Sequence, residues 1–293
     1  MRLTVRLYLP AALTGLAALT LASGAWASLS QEAPTPGTGR IEAAPDKDGL
    51  IDGDPALDWT LTEFPERKAL LATAAFDNGL TLATRCVNGV FEATVHGLRE
   101  ASGLTRTIQI THEDSEPYDT SWIIGDKKDA AFSRVPVRFA RTLAKGGQVQ
   151  MRIAGERGQP ATRYILDLPP SVSAVEQTLA ACGKSMVDLR YDALGDENST
   201  LPDGANWLRR PQPSFPTPSG QMMSTHGYVT ISCGVRADGR PQDCLVESEY
   251  PAGFNFGRAT LRAVEKGQIG PNDPTQTLPP NMTILFHVNF QMR

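Results

Sequence analysis

ISCGVRADGRPQDCLVESE, residues 231–249, holds two cysteines with ten residues between them and an Asp-Gly pair near the midpoint. A metal site, a redox pair and the staple of a hairpin are the three readings to separate. Zinc would need a second pair of ligands at matching spacing, which the stretch lacks, and no C-x-x-C occurs anywhere in the chain. Asp238-Gly239 instead suits a two-residue hairpin turn, because both residue types tolerate positive φ. With that turn, Cys233 lies directly opposite Cys244 in a hydrogen-bonded pair whose Cα atoms are about 5.5 Å apart, within disulfide reach. Val229, Ile231, Cys233 and Val235 then share one face with Cys244 and Val246. Pro241 pairs with Arg236 at a non-bonded position, where a missing N–H costs no ladder bond.

The strands on either side are HGYVTISCGV (226–235) and QDCLVESE (242–249). FNFGRATLRAVEKG (254–267) follows, with Phe256, Ala259, Thr260, Ala263 and Val264 on one helical stripe. A Pro- and Asn-containing loop (270–281) leads to MTILFHVNFQM (282–292), in which Ile284, Phe286, Val288 and Phe290 alternate with Thr283, Leu285, His287 and Asn289. Strand, strand, helix, strand predicts a small antiparallel sheet with the helix on one face.

The N-terminus sets the redox compartment. Arg2 and Arg6 precede the apolar run LYLPAALTGLAALTLA (7–22), and Ala25-Trp26-Ala27 matches a signal-peptidase site, so cleavage is expected after Ala27. The run is shorter than the ~20 apolar residues that span a bilayer and contains Pro10 and Gly15. A retained anchor is the competing reading. A cleaved leader predicts the periplasm, where four cysteines form two disulfides. The chain is 41% hydrophobic and 20% charged, a composition that builds a folded core. Without Arg2 and Arg6, 26 Lys+Arg face 32 Asp+Glu, a net charge near −6 that argues against nucleic acid or anionic lipid as the general partner.

Residues 28–55 and 191–212 read as linkers, the first disordered. They leave a β-rich domain at 56–190 and a second domain at 213–293, an α+β chain overall. In the first domain Asn88-Gly89 joins strands 79–86 and 90–98, and further strands are expected at 105–113, 120–125, 148–155 and 162–168. Residues 135–147 fit either a short helix or a strand. SAVEQTLAACG (173–183) predicts a closing helix, with Ser173 and Glu176 at capping-box spacing and Gly183 as its left-handed stop. Val175, Leu179 and Cys182 share its buried face, which makes Cys86–Cys182 and Cys233–Cys244 the expected bonds. His96 and His112 have no second ligand at metal-binding spacing, and the chain contains no G-x-S-x-G, H-E-x-x-H, P-loop or G-x-G-x-x-G. The expectation is a protein without enzymatic activity, metal or cofactor.

The run from Gly227 to Glu249, then F-G-R-A-T-L-R-A-V and M-T-I-L-F-H-V-N-F, resembles the C-terminal domain of TonB-family energy transducers. Pro213-Ser214-Phe215-Pro216 is similar to the family's Pro-x-Tyr-Pro lead-in, with Phe in place of Tyr. The resemblance covers about residues 205–293. It implies binding of a protein partner, such as an outer-membrane TonB-dependent transporter, by addition of a peptide strand to the sheet edge. The edge so implied is 282–290, with Thr283, Leu285, His287 and Asn289 pointing outward. The family's permanent membrane helix and long Pro-rich spacer have no counterpart: the apolar segment is short and a β-domain occupies the spacer's place. The resemblance therefore implies an envelope binding protein in transport, with an anchored transducer the alternative if the leader is retained. A periplasmic enzyme housed in the β-rich domain is the third reading.

Overall fold

Two positive φ angles, 51° at Asn88 and 80° at Gly89, turn the chain from β4 (Thr81–Val87) into β5 (Val90–His96) with Val87 facing Val90, the two-residue hairpin that Asn-Gly favours. A computed structural model of the chain describes residues 49–53, 59–156, 158–188, 190, 194, 201–216 and 224–292. The expected leader at 1–27 and most of the first linker lie outside the described residues. All described residues belong to one unit, Pro45–Arg293.

Around the hairpin a ten-stranded sheet assembles from β1 (Gly49–Gly53), β2 (Thr60–Phe64), β3 (Ala69–Ala75), β6 (Thr105–His112), β7 (Tyr118–Ile124), β8 (Ala131–Ser133), β9 (Gly147–Ile153) and β10 (Thr162–Leu168). Its order is β1-β10-β9-β6-β7-β8-β5-β4-β3-β2. All of its pairs are antiparallel except β1 with β10. Four strands of this sheet, β1, β2, β3 and β8, were not expected from sequence. β1 falls in the expected linker, held by backbone pairing to β10 that a five-residue segment cannot advertise through periodicity. β3 escaped because ALLATAA is Ala-rich and favours no strand on propensity; pairing with β4 overrides it. β2 (TLTEF) carries no apolar alternation and β8 is too short to show a period.

Residues 136–144 resolve as a helix, α1 (Pro136–Ala144), with Pro136 in its first turn, where the missing N–H costs nothing. α2 (Val172–Ala181) starts at N-cap Ser171, earlier than the capping-box reading placed it. Ser173 therefore lies inside the helix, and its hydroxyl accepts from Gln177 Nε2 at 3.2 Å. At the other end Lys184 N–H donates to Leu179 O and Gly183 N–H to Ala180 O, with Gly183 at φ 66°, a Schellman stop. Cys182, just past the helix, bonds Cys86 of β4 with Cα atoms 5.6 Å apart.

The C-terminal lobe comprises β11 (Ala205–Arg209), β12 (His226–Val235), β13 (Pro241–Tyr250), α3 (Phe256–Val264), β14 (Gln268–Pro271) and β15 (Thr283–Gln291). β11 lies in the second expected linker and pairs with β14. β13-β12-β15 form an antiparallel sheet. The whole described chain is a strand-rich α+β fold.

Cys233 and Cys244 are bonded as expected, by a different local route. The loop has three residues rather than two. Arg236 N–H donates to Arg240 O, Gly239 N–H to Arg236 O, and Gly239 sits at φ 79°. This puts Val235 opposite Pro241, and a bulge at Asp243 (φ 49°) brings the register back so that Ser232 faces Leu245. Because the bonded pair is 236:240, odd-numbered residues of β12 turn their N–H away from β13. Cys233 thus occupies a non-bonded position, with a Cα separation of 4.2 Å instead of the expected 5.5 Å. Pro241 is likewise at a non-bonded position, facing Val235. A second bulge, where Ile231 faces Val246 and Thr230 faces Ser248, turns Glu247 inward to accept a hydrogen bond from the buried Ser232 hydroxyl.

α3 begins at Asn255 (φ 62°), whose own side chain caps nothing. The cap comes from β13: Glu249 accepts from Phe256 N–H at 3.2 Å and Gly257 N–H at 3.0 Å, so a carboxylate meets the positive end of the helix. The expected stripe is buried at Phe256, Ala259, Thr260 and Val264. It packs with Val229, Ile231, Cys233, Ile284, Phe286 and Phe290.

Candidate functional site

β15 has β12 on one side and no second strand on the other among the described residues. The hydrogen bonds at its two ends establish which backbone groups face outward. Val235 N–H donates to Met282 O and Met292 N–H to Thr225 O. In an antiparallel ladder the bonded pairs recur every second residue, so even-numbered residues of β15 turn toward β12. The N–H groups of Thr283, Leu285, His287 and Asn289 are directed to the outer edge. These four are the residues singled out from sequence, and the register brings their backbone groups into one row.

Their side chains are not all outward as expected: Asn289 is exposed, but Leu285 is buried and Thr283 and His287 are half-buried. The second face of the sheet is covered by the β-rich lobe. Leu285 is buried at 4% exposure in a cluster with Phe91, Val137, Ala140 and Leu179. Asn289 accepts a hydrogen bond from Arg134 at 2.8 Å, and His287 Nδ1 pairs with Thr230 Oγ1 at 3.0 Å. Thr283 is half-buried. The alternation T-L-H-N looked solvated because three of its four residues are polar. Leu285 was the signal that the face is covered.

Arg134, directly after β8 in the connection to α1, is the contact that sequence reasoning missed. It is 4% exposed and its guanidinium lies 5.6 Å from the Tyr228 ring centroid. Burial pulls its pKa down to about 10, leaving it charged at neutral pH, with Tyr228 opposing the shift. Its carbonyl accepts from Ser248 at 2.7 Å, and Phe132 packs on Tyr250 at 5.0 Å. Arg190 adds bonds to Ser232 O at 2.8 Å and Asp243 O at 2.6 Å. Together these contacts fix the angle at which β15 presents its edge.

On the opposite face, residues before β12 run beneath β15. Trp207 meets Phe286 edge-on at 5.4 Å, and Phe215 meets Phe290 at 6.1 Å and Phe256 at 5.3 Å. A strand added to β15 would thus alternate its side chains between the β-rich lobe above and the 207–215 segment below. Elsewhere, His96 Nε2 pairs with Thr94 Oγ1 at 3.0 Å and His112 Nε2 with Gly146 O at 2.7 Å. Burial, reinforced by Arg85, lowers the His96 pKa.

No protein-family model matches the chain, and no curated protein does. Among solved structures, one similar chain is the solution NMR structure of the Pseudomonas aeruginosa TonB CTD, at 18% sequence identity. It aligns with 31% of this chain and 88% of its own, with a TM-score of 0.24.

Proposed function

We propose that the chain is a non-enzymatic binding protein of the bacterial envelope that takes a partner's peptide strand onto β15, in the manner of a TonB C-terminal domain. The observation that carries this reading is the row of N–H groups of Thr283, Leu285, His287 and Asn289 directed away from β12. Strand addition draws affinity from main-chain hydrogen bonds and selectivity from alternate side chains. The partner class is a periplasmic segment of an outer-membrane transporter. The β-rich lobe then acts as a rigid mount that holds the edge through Arg134 and Leu285.

Proline at an outward N–H deletes one intermolecular bond, whereas alanine keeps it. Thr283 is the cleanest site, since Leu285 and Asn289 also hold the lobes together. Thr283→Pro is expected to weaken binding about tenfold, for one lost bond of about 1–1.5 kcal/mol, and Thr283→Ala to leave it within about twofold. The measurement is titration of synthetic peptides matching periplasmic N-terminal segments of transporters from the same host, with folding checked by circular dichroism. No binding across such a panel by folded, oxidised protein would defeat the reading.

Periplasmic residence rests on the leader. Protein from the native host is expected to begin at Ser28 by intact-mass measurement. A membrane-bound form retaining residues 1–27 would favour the anchored transducer.

A further inference from the structure

We infer that a second binding site, separate from the β15 edge, accepts an acidic stretch of extended peptide in the cleft between α3 and the segment after β11. The cleft has a volume of about 680 Å³ and is lined by Arg209, Arg210, Arg262 and Lys266, with Pro211 and Ala263 among its apolar contacts. No acidic residue lines it among the described residues. None of the four cations has an ion-pair or hydrogen-bond partner among the described residues. In a chain of net charge −4, four unneutralised cations around one trough form a concentrated positive field.

A structural role accounts for half of this arrangement. Arg262 lies in the last turn of α3 and Lys266 just beyond it, where cations complement the helix dipole. Arg209 and Arg210 come from a different element, more than fifty residues earlier, and have no such role. The wall that carries them is itself strand-like without a ladder. Beyond β11, no hydrogen bond joins the backbone of residues 210–215 to any described residue. That wall therefore offers main-chain groups to an extended ligand, and Pro211 and Ala263 offer it apolar contact. Gly267 keeps the wall close to the helix: a Cβ there would come 3.2 Å from the Pro211 ring and 3.1 Å from Trp207. A concave trough between two elements fits a chain laid into it, whereas a flat lipid surface would meet only its rim. A phosphate ion would leave most of the volume empty. Carboxylates along an extended peptide match the dispersed cations, the open backbone and the apolar floor together.

The test uses the mature, oxidised protein and two fluorescein-labelled decapeptides, one alternating Glu with Ala and one alternating Gln with Ala, titrated by anisotropy. The Glu peptide is expected to bind at least about tenfold tighter than the Gln peptide, with affinity falling steeply as salt is raised. The double variants R262E/K266E and R209Q/R210Q are each expected to weaken the Glu peptide about tenfold, while T283P leaves it unchanged. The site thus stands or falls independently of strand addition at β15. Equal binding of both peptides, binding of neither, or no effect of salt overturns the inference on the unmodified protein alone. Capture by phosphatidylglycerol vesicles without preference for the Glu peptide would assign the cleft to a membrane surface instead.

Discussion

Replacing Cys86 and Cys182 together by alanine lowers the unfolding free energy of the oxidised protein by about 4–5 kcal/mol, the largest loss expected from removing any two side-chain atoms in the chain. The bond links residues 96 apart, and in the chain-entropy model a loop of that length restricts the unfolded ensemble by about 4.7 kcal/mol. Cys86 is 3% exposed on β4 and Cys182 follows α2, so the bond also anchors that helix to the sheet. The hairpin bond between Cys233 and Cys244 spans only 11 residues, for about 3 kcal/mol in the same model. Its neighbours are already paired through the β12–β13 ladder, so the measured loss should be smaller still. Urea unfolding of the two double-alanine variants, followed by circular dichroism, compares them directly. A greater loss from the hairpin bond would show that unfolded-state entropy is not what the long-range bond controls.

Phe256→Ala is the second large effect, expected at about 3–5 kcal/mol because its cavity cannot collapse. The ring has 0% exposure and sits among Phe290 at 4.8 Å, Phe215 at 5.3 Å and Phe254 at 6.2 Å. Directly above it Gly227 of β12 has no side chain, and a Cβ there would come 2.5 Å from the ring. Gly227→Ala alone is therefore an overpacking substitution worth about 1–3 kcal/mol. The two together should cost less than their sum, because the methyl group enters space that the ring has vacated. Strict additivity in that double-mutant cycle would mean that the contact between Gly227 and Phe256 is not the reason for the glycine.

Local chemistry made some of this fold readable and left other parts hidden. Asn88-Gly89, Gly183 after α2 and the amphipathic stripe of α3 each announce themselves within a few residues, and the structure places all three as read. Cys233 and Cys244 were paired correctly although the loop between them is one residue longer than Asp-Gly suggested, because the bulge at Asp243 cancels the shift. β1 and β11 left no such signal, since each is a short strand held by a partner more than fifty residues distant. β15 was legible as the edge strand, but the direction of its N–H groups was open in sequence, and of the four side chains read as outward only Asn289 is exposed. Alternation reports two faces but not what covers the second, and here another lobe does. The basic cleft was invisible for a related reason: its cations lie far apart in sequence and converge only when β11 pairs with β14.

Burial of β12 on both faces has a consequence for the order in which the molecule can be completed. Its odd-numbered residues face α3, while Thr230 and Ser232 turn to the β-rich lobe and are fully buried. That lobe is synthesised first, and all ten strands of its sheet precede the C-terminal lobe in the chain. The patch around Phe91, Val137 and Leu179 nevertheless stays uncovered until Leu285 arrives, and Arg134 waits for Asn289 across 155 residues. Contacts at such separation form late and leave apolar surface open to wrong partners meanwhile. The β-rich lobe thus keeps one unsealed side until β15 docks, and the strand that seals it is the one with an open edge among the described residues.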